Sequence, residues 1–145
     1  LHELLCEVGG AEAPPLDEYL SRIAELATDG EQRFGLELDL ARGRIDPRQM
    51  VPCGLIVNEL IANAAKHAFQ DGKTGTVRVS LRFGADESVE IDVADDGVGF
   101  CSGRTFGMGL SLIDGLARQL GGAVERQGHG GTSTRVTFPA IAPAV

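Results

Sequence analysis

The chain has 145 residues, a length typical of one domain with its own hydrophobic core. It carries 13 Lys and Arg against 21 Asp and Glu, a net charge of -8, and no basic block that could follow a phosphate backbone, so nucleic acid is not expected as a partner. The cysteines Cys6, Cys53 and Cys101 lack the spacing of a zinc site or a disulfide framework, and no run of apolar residues is long enough to span a membrane, so we expect a cytoplasmic segment without membrane contact.

The N-terminal part of the sequence indicates a connection, a helix and a strand. Residues 1–15 resemble a short piece of helix broken by glycine and proline pairs, and we interpret them as the end of an upstream helical hairpin or linker. Apolar residues recur at helical spacing from Leu16 to Gly30. Residues 34–40 alternate between apolar and polar, which predicts a half-buried strand.

A long central helix is predicted over residues 48–70, opened by Asp46-Pro47 or, about one turn later, by Pro52. Its polar residues fall within about 100° of the helical wheel and comprise an acid, an amide, an ammonium and an imidazole: Glu59, Asn63, Lys66 and His67. The other positions are almost wholly apolar, which predicts a helix buried nearly all round, with Asn58 as a buried structural amide. Such a stripe is commonly a solvated face, but its narrowness and mixed chemistry favour a site.

The second half of the sequence indicates two strands, a helix and two closing strands. Val77–Phe83 and Val89–Val93 alternate in polarity and are joined by a predicted hairpin through Gly84. A helix follows Gly107 and is ended by Gly121-Gly122. The closing strands are predicted at 123–126 and 132–138, and a frayed tail is expected after Pro139 at residues 140–145.

An acidic pair follows directly on the second strand of the hairpin, where Asp95 and Asp96 precede Gly97 and Gly99. An acid beside glycines is ordinarily an exposed turn. In a site, a carboxylate at a strand end could accept a hydrogen bond from an exocyclic amine, and the glycines would leave room for a flat ring. Both interpretations stay open on these residues alone.

A glycine pair, Gly107 and Gly109, precedes the next helix. On its own such a pair is more often a turn. At a phosphate site, the glycines would let a ligand approach the first N–H groups of the helix, where the helix dipole attracts phosphate oxygens. The strand-first GxGxxG pattern of dinucleotide sites and the Walker A lysine motif are both absent from the sequence.

Taken together, these stretches resemble the catalytic, ATP-binding domain of bacterial sensor histidine kinases, within the superfamily shared with DNA gyrase, heat-shock chaperones and mismatch-repair ATPases. The resemblance covers about Phe34 to Pro139. Asn58–His67 is similar to the N box, Asp95–Gly99 to the first glycine box, Gly107–Ser111 to the second and Gly130–Thr132 to the last. Their order and spacing match the family, and the residues in and around these motifs are most similar to its short-lid subfamily.

The resemblance implies a role for each matched residue. Glu59 and Asn63 would be catalytic, with Asn63 also holding the Mg²⁺ ion that bridges the phosphates of ATP. Asp95 would accept a hydrogen bond from the adenine amine. The remaining residues would line the ATP site, as the floor under the base, the wall by ribose or phosphate, and the phosphate cradle: Lys66, His67, Gly97, Gly99, Arg104, Gly107, Gly109, Leu110 and Thr132.

Two features depart from the family pattern. The segment from Phe100 to Phe106 has only seven residues where a longer lid is usual, so Arg104 is expected to supply charge toward the phosphates directly. None of His2, His67 or His129 lies in a convincing phosphoacceptor context. The acceptor histidine is therefore expected outside this chain.

The predicted fold is an α/β two-layer sandwich of the Bergerat type, in which a mixed sheet of about five strands carries about three helices on one face over residues 16–139. The resemblance implies that this domain binds ATP and Mg²⁺ and donates the γ-phosphoryl group to a histidine in two-component signalling. Its implied partners are its own upstream dimerisation and phosphoacceptor domain and a response regulator. The isolated segment is expected to be a monomer and the full-length protein a dimer.

Two alternatives remain. One is a serine kinase of the anti-sigma-factor type in the same superfamily. The histidine-kinase-like residues of the motifs and the piece of helical hairpin expected in residues 1–15 disfavour it. The other is a degenerate docking domain of a phosphotransfer protein that no longer binds ATP. The intact Asn63, Asp95 and glycine pair disfavour that second alternative.

Overall fold

The computed structural model describes residues 13–31, 33–67, 74–97, 108–128 and 131–141. These residues form a mixed α/β fold with the elements α1 (Leu16–Ala27), β1 (Phe34–Leu40), α2 (Pro47–His67), β2 (Gly75–Phe83), β3 (Ser88–Asp95), α3 (Met108–Gln119), β4 (Ala123–Gln127) and β5 (Thr132–Pro139). The helices and strands expected over residues 16–139 are confirmed in type and order. The helical piece expected near the start of the chain and the expected continuation of the central helix to residue 70 fall on residues 1–12 and 68–70, outside the described residues. No helix among the described residues is both long and apolar enough to cross a membrane.

The five strands form one sheet in the order β1-β2-β3-β5-β4. β1 and β2 run parallel, whereas the β2–β3, β3–β5 and β4–β5 pairs are antiparallel. On β2, the side chains of Val77, Val79 and Leu81 are fully buried while Arg78 and Arg82 are exposed. This alternation is the period-two pattern of a sheet with one covered face. The predicted two-layer arrangement is confirmed.

The uncovered face of the sheet carries cross-strand ion pairs. Opposite charges on neighbouring strands stabilise a sheet only modestly when they are exposed to solvent. The pairs described on this face are Arg78–Glu37 at 2.8 Å, Arg82–Asp39 at 2.7 Å, Arg135–Glu90 at 2.6 Å and Arg135–Asp92 at 3.4 Å. This face is therefore a solvated one, and the apolar core lies entirely on the side of the helices.

Helix α2 lies between α1 and α3 in the helical layer and buries only one side. Ile56, Val57 and Ile61 are fully buried in the core. The prediction of near-complete burial is wrong, because Leu55, Asn58, Ala62 and Ala65 are each only partly buried, so the open arc extends over about half of the wheel. The physical reason is that a two-layer fold has no third layer to cover the outer side of its helices. Asn58 is accordingly not a buried amide.

The start of α2 is fixed by a side-chain cap. The carboxylate of Asp46 accepts a hydrogen bond from the Arg48 backbone N–H at 2.9 Å and pairs with the Arg48 guanidinium at 2.9 Å. These interactions lower the pKa of Asp46 to about 2, the guanidinium contributing most. Pro47 is the first helical residue, where its missing N–H costs nothing. The helix therefore starts at Pro47, with Pro52 inside it.

A buried glutamine joins the first turn of α2 to the end of β5. The Gln49 side chain is only 3% exposed. Its amide nitrogen donates to the carbonyl of Pro139 at 3.0 Å, and its amide oxygen accepts from the N–H of Ile141 at 2.9 Å. The Ala140 N–H also donates to the Glu87 carbonyl at 2.8 Å. Hydrogen-bonded structure thus continues to Ile141, two residues beyond Pro139, after which the frayed tail was expected.

Helix α3 ends at Gly121-Gly122, as the sequence predicted. Gly121 has φ +74°, and its N–H donates to the Arg118 carbonyl at 2.9 Å. The N–H of Gly122 donates to the Ala117 carbonyl at 2.8 Å, which completes a Schellman motif. The chain then turns directly into β4, whose first residue Ala123 pairs with Thr137. The C-terminal end of α3 therefore lies beside the end of β5.

We predict that Gln49→Leu destabilises the protein by about 2 kcal/mol, because the carbonyl of Pro139 and the N–H of Ile141 would lose their partner where leucine offers none. Urea unfolding followed by circular dichroism measures the change. Gln119→Leu, the same substitution at an exposed helical position, is the control and should shift the free energy of unfolding by less than about 0.5 kcal/mol. Equal effects of the two substitutions would contradict the role assigned to Gln49.

Candidate functional site

The second half of α2 reaches the edge of the sheet at which β3 ends. Gln49, in the first turn of the helix, lies beside the end of β5, and Pro139 pairs with Ser88 at the start of β3. From Gln49 to Asn63 the helix rises about 21 Å. From Ser88 to Asp95 the strand advances about 23 Å. These lengths match, so we expect the stripe of α2 to lie at the same edge of the sheet as the carboxylate of Asp95.

Helix α3 points its N-terminus at this edge as well. An ion pair of 2.9 Å joins Asp114, in the middle of α3, to Arg126, three residues into β4. The C-terminal end of α3 adjoins Ala123 at the start of β4, so the helix runs antiparallel to that strand. Met108 and Gly109 in its first turn consequently lie toward the end of β3. The N–H groups that have no partner within the helix and the positive dipole end of α3 are therefore directed toward the end of β3.

Asp95 is the half-buried acid at the centre of this edge. It is the last residue of β3, the middle strand of the sheet, and pairs with Thr132 on β5. Its Oδ1 accepts hydrogen bonds from the N–H groups of Gly97 at 3.0 Å and Thr132 at 3.3 Å. Burial raises the pKa of Asp95, while these two N–H groups act in the opposite direction. Both of these bonds use Oδ1, so neither of them engages Oδ2.

Gly131 holds β5 close against the end of β3. It is buried and has φ +130°, and a Cβ placed on it would overlap the carbonyl oxygen of Asp95. Only glycine combines that backbone conformation with that approach. The close approach allows the neighbouring Thr132 N–H to reach Oδ1 of Asp95. Sequence reasoning placed Gly131 in a motif but gave it no role of its own.

Asp96 fixes the other side of the same strand end. Its Oδ1 accepts the N–H of Thr76 at 2.7 Å, and its own N–H donates to the Thr76 carbonyl at 3.3 Å. The end of β3 is thus attached to the start of β2 through Asp96 and to the start of β5 through Asp95. The sequence signal was the acidic pair itself, but the partner in β2 is twenty residues away and was not predicted.

The stripe on α2 forms the second wall at this edge. Glu59 and Asn63 are half-buried, and Lys66 and His67 are exposed in the last helical turn. Cations at a helix C-terminus interact favourably with the helix dipole, so their place is compatible with local stability as well as with a ligand. Among the described residues, no group of three or more His, Cys, Asp or Glu side chains is placed to hold a metal ion.

Several predicted site residues fall wholly or partly outside this description. Gly99, Arg104 and Gly107 lie outside the described residues. Gly109 and Leu110 lie in the first turn of α3, where the structure describes the backbone. Their predicted contacts with ATP stay predictions, as do those of the other stripe and glycine residues.

Comparisons with known proteins agree with this fold. A family model described as a histidine kinase-like ATPase domain matches residues 13–138. Blue-light-activated histidine kinase 2 of Erythrobacter litoralis is 30% identical over 134 residues, which are 86% of this chain and 37% of that protein. The chain therefore spans little more than a third of that curated relative.

Solved structures give the same result. The histidine kinase domain of a blue-light-activated histidine kinase from Erythrobacter litoralis superposes with a TM-score of 0.85 at 26% identity, covering 95% of this chain and 70% of that chain. Full-length ShkA in complex with AMPPNP superposes with a TM-score of 0.70 at 20% identity, covering 97% of this chain and 35% of that chain. The second likeness concerns the fold alone. The resemblance found in the sequence is confirmed.

We predict that Gly131→Ala destabilises the protein by at least about 1 kcal/mol, because the new Cβ must displace the end of β3 and alanine is strained at this φ. Thermal unfolding measures the effect. Gly35→Ala, on the exposed part of β1 where an added Cβ meets no atom within 4 Å, is the matched control. It should leave the midpoint unchanged or raise it. A neutral Gly131→Ala variant would show that the close approach to Asp95 is not required.

Proposed function

This chain belongs to the family of histidine kinase-like ATPase domains, and we propose that it binds ATP with Mg²⁺ and donates the γ-phosphoryl group to a histidine outside this segment. The observation that carries the proposal is Asp95, a half-buried carboxylate at the end of the middle strand with one oxygen held by backbone N–H groups. The relatives described above are histidine kinases, which gives no support to the serine-kinase alternative.

The base of ATP would be recognised by Asp95. A carboxylate oxygen accepts hydrogen bonds only, so Oδ2 suits the exocyclic amine of adenine and not the carbonyl that guanine presents at the equivalent position. Oδ1 is already engaged by Gly97 and Thr132, which holds the carboxylate in one orientation. Gly97 and Gly99 would leave room for the ring, and Thr132 would complete the pocket beside it.

The phosphates would lie at the N-terminus of α3. Four N–H groups of a helix start have no partner within the helix, and the dipole favours negative charge there. The backbone of Gly109 and Leu110, together with Gly107, would supply this cradle. Arg104 and Lys66 would add positive charge, and His67 would contact ribose or phosphate.

Asn63 suits Mg²⁺ that arrives with the nucleotide. Mg²⁺ keeps several waters and takes few protein ligands, so one amide oxygen beside phosphate oxygens is chemically sufficient. Asn63 is half-buried on the side of α2 that no other described element covers. When bound, the ion would neutralise phosphate charge. Glu59, one turn earlier on α2, would orient the attacking histidine or accept its proton.

The acceptor histidine would come from an upstream dimerisation domain, and a response regulator would take the phosphoryl group onward. A full-length protein of this kind would be a dimer in the cytoplasm. This segment would contribute nucleotide binding and positioning, because in phosphoryl transfer most of the catalysis is positioning and charge neutralisation.

We predict that the chain binds ATP more tightly than GTP and that Asp95→Ala weakens ATP binding by about tenfold or more, because the amine of adenine loses a charged acceptor. Titration calorimetry measures both affinities. Asp92→Ala is the matched control, since Asp92 lies on the same strand but points to the opposite face, where it pairs with Ser133 and Arg135. Equal affinity for ATP and GTP in the unaltered chain would rule out the role given to Asp95.

We also predict that the chain alone, given Mg-ATP, forms no appreciable phosphohistidine. Addition of the phosphoacceptor domain of a related histidine kinase should give slow, acid-labile labelling of that domain, because an untethered acceptor lacks a high effective concentration. Asn63→Ala should reduce the labelling by at least about tenfold. Asn58→Ala, a half-buried amide about 140° away on the same helix, should not. Stoichiometric labelling of the isolated chain would contradict the proposal.

A further inference from the structure

An acidic residue of α3 lies close to the proposed phosphate site. Asp114 is five residues after Gly109, which places it about 7.5 Å further along the helix axis. Side chains of a helix lean toward its N-terminus, so the carboxylate is directed toward the end that would receive the phosphates. This distance is shorter than the screening length of about 8 Å at physiological ionic strength. An unpaired charge on Asp114 would therefore repel a triphosphate.

Arg126 compensates this charge from the inner face of the sheet. Its Nη2 atom pairs with Oδ1 of Asp114 at 2.9 Å, and its side chain is 25% exposed against 43% for Asp114. The Nε atom of Arg126 is buried and has no hydrogen-bond partner among the described residues. The ion pair with Asp114 is thus the described contact that orients the guanidinium. It also links α3 to β4, where apolar packing alone gives little directional control.

We propose that Arg126 supports phosphate binding by neutralising Asp114, so that the N-terminal end of α3 keeps the positive potential that a triphosphate needs. The inference rests on the proposed nucleotide site and concerns only its phosphate end. Arg126 is a positioning residue in this scheme, since it acts on the nucleotide through Asp114 and not by contact.

The test compares two ligands, Mg-ATP and adenosine, by titration calorimetry at low salt. Their affinity ratio isolates the contribution of the phosphates. Arg126→Gln should lower this ratio by about threefold or more, because it leaves the Asp114 charge unpaired near the phosphates. Asp114→Asn should not lower the ratio, since it removes the repelling charge. The double variant, Asp114→Asn with Arg126→Gln, should return the ratio to that of the unaltered chain.

Arg135→Gln is the matched control, because it removes the same charge and an ion pair from the opposite face of the neighbouring strand. It should leave the ratio unchanged. The loss in Arg126→Gln should also shrink at high salt, as screening weakens the repulsion. A purely structural role for Arg126 would lower both affinities together and leave the ratio constant.

Three results would overturn the inference. An unchanged ratio in Arg126→Gln would do so, as would an equal fall of the ratio in Asp114→Asn, which would indicate a mechanical link and not a compensated charge. If Arg126→Gln does not fold, Asp114→Asn decides alone, and a lowered ratio there overturns the inference. If the unaltered chain binds neither ligand, the proposed nucleotide function itself fails and the inference fails with it; binding of both ligands separates the two cases.

Discussion

Packing of α2 on one face of the sheet is the constraint on which the site depends. The apolar half of this helix must bury itself against β2 and β3, because burial of that surface is the main favourable term in forming the fold. Gln49 joins the first turn of the helix to the end of β5, and the rise of the helix from there determines how far along it Asn63 lies. With no layer above the helices, the other half stays open. The two-layer architecture therefore leaves one side of α2 open, and the residues on that side determine its chemistry.

The end of β3 is restrained by hydrogen bonds and close packing on both sides. A carboxylate at a free strand end would normally rotate into solvent, but Asp95 is restrained by backbone N–H groups on two sides. Gly131 and Asp96 keep the neighbouring strands β5 and β2 in the position that this restraint requires. Burial raises the pKa of Asp95 and the N–H groups oppose that rise. The arrangement thus stabilises one orientation of the carboxylate, and the hydrogen bonds of the described residues engage it through Oδ1.

Most of the fold could be predicted from the sequence because its signals are local. The alternation of apolar and polar residues predicted β1, and the glycine pair Gly121-Gly122 predicted the end of α3, where the structure has a Schellman motif. The open side of α2 and the partial exposure of Asn58 were missed because burial depends on how many layers surround a helix. The partners of Gln49 lie about ninety residues away, at a separation that no local pattern encodes. At the site, residue types were predictable, whereas the restraints on Asp95 were not.

The chain carries more acids than bases, with a net charge of -8, so acids are common near any site that would bind a polyanion. Long-range fields are screened within about 8 Å at physiological ionic strength, so distant acids matter little and near ones matter most. On the uncovered face, arginines pair with acids across strands, where each pair has little effect on stability. The pair of Arg126 and Asp114 differs in its place, because it lies on the inner face next to α3. On this inner face, an arginine–acid pair is therefore close enough to α3 to affect the electrostatic potential at the N-terminus of the helix, as we propose.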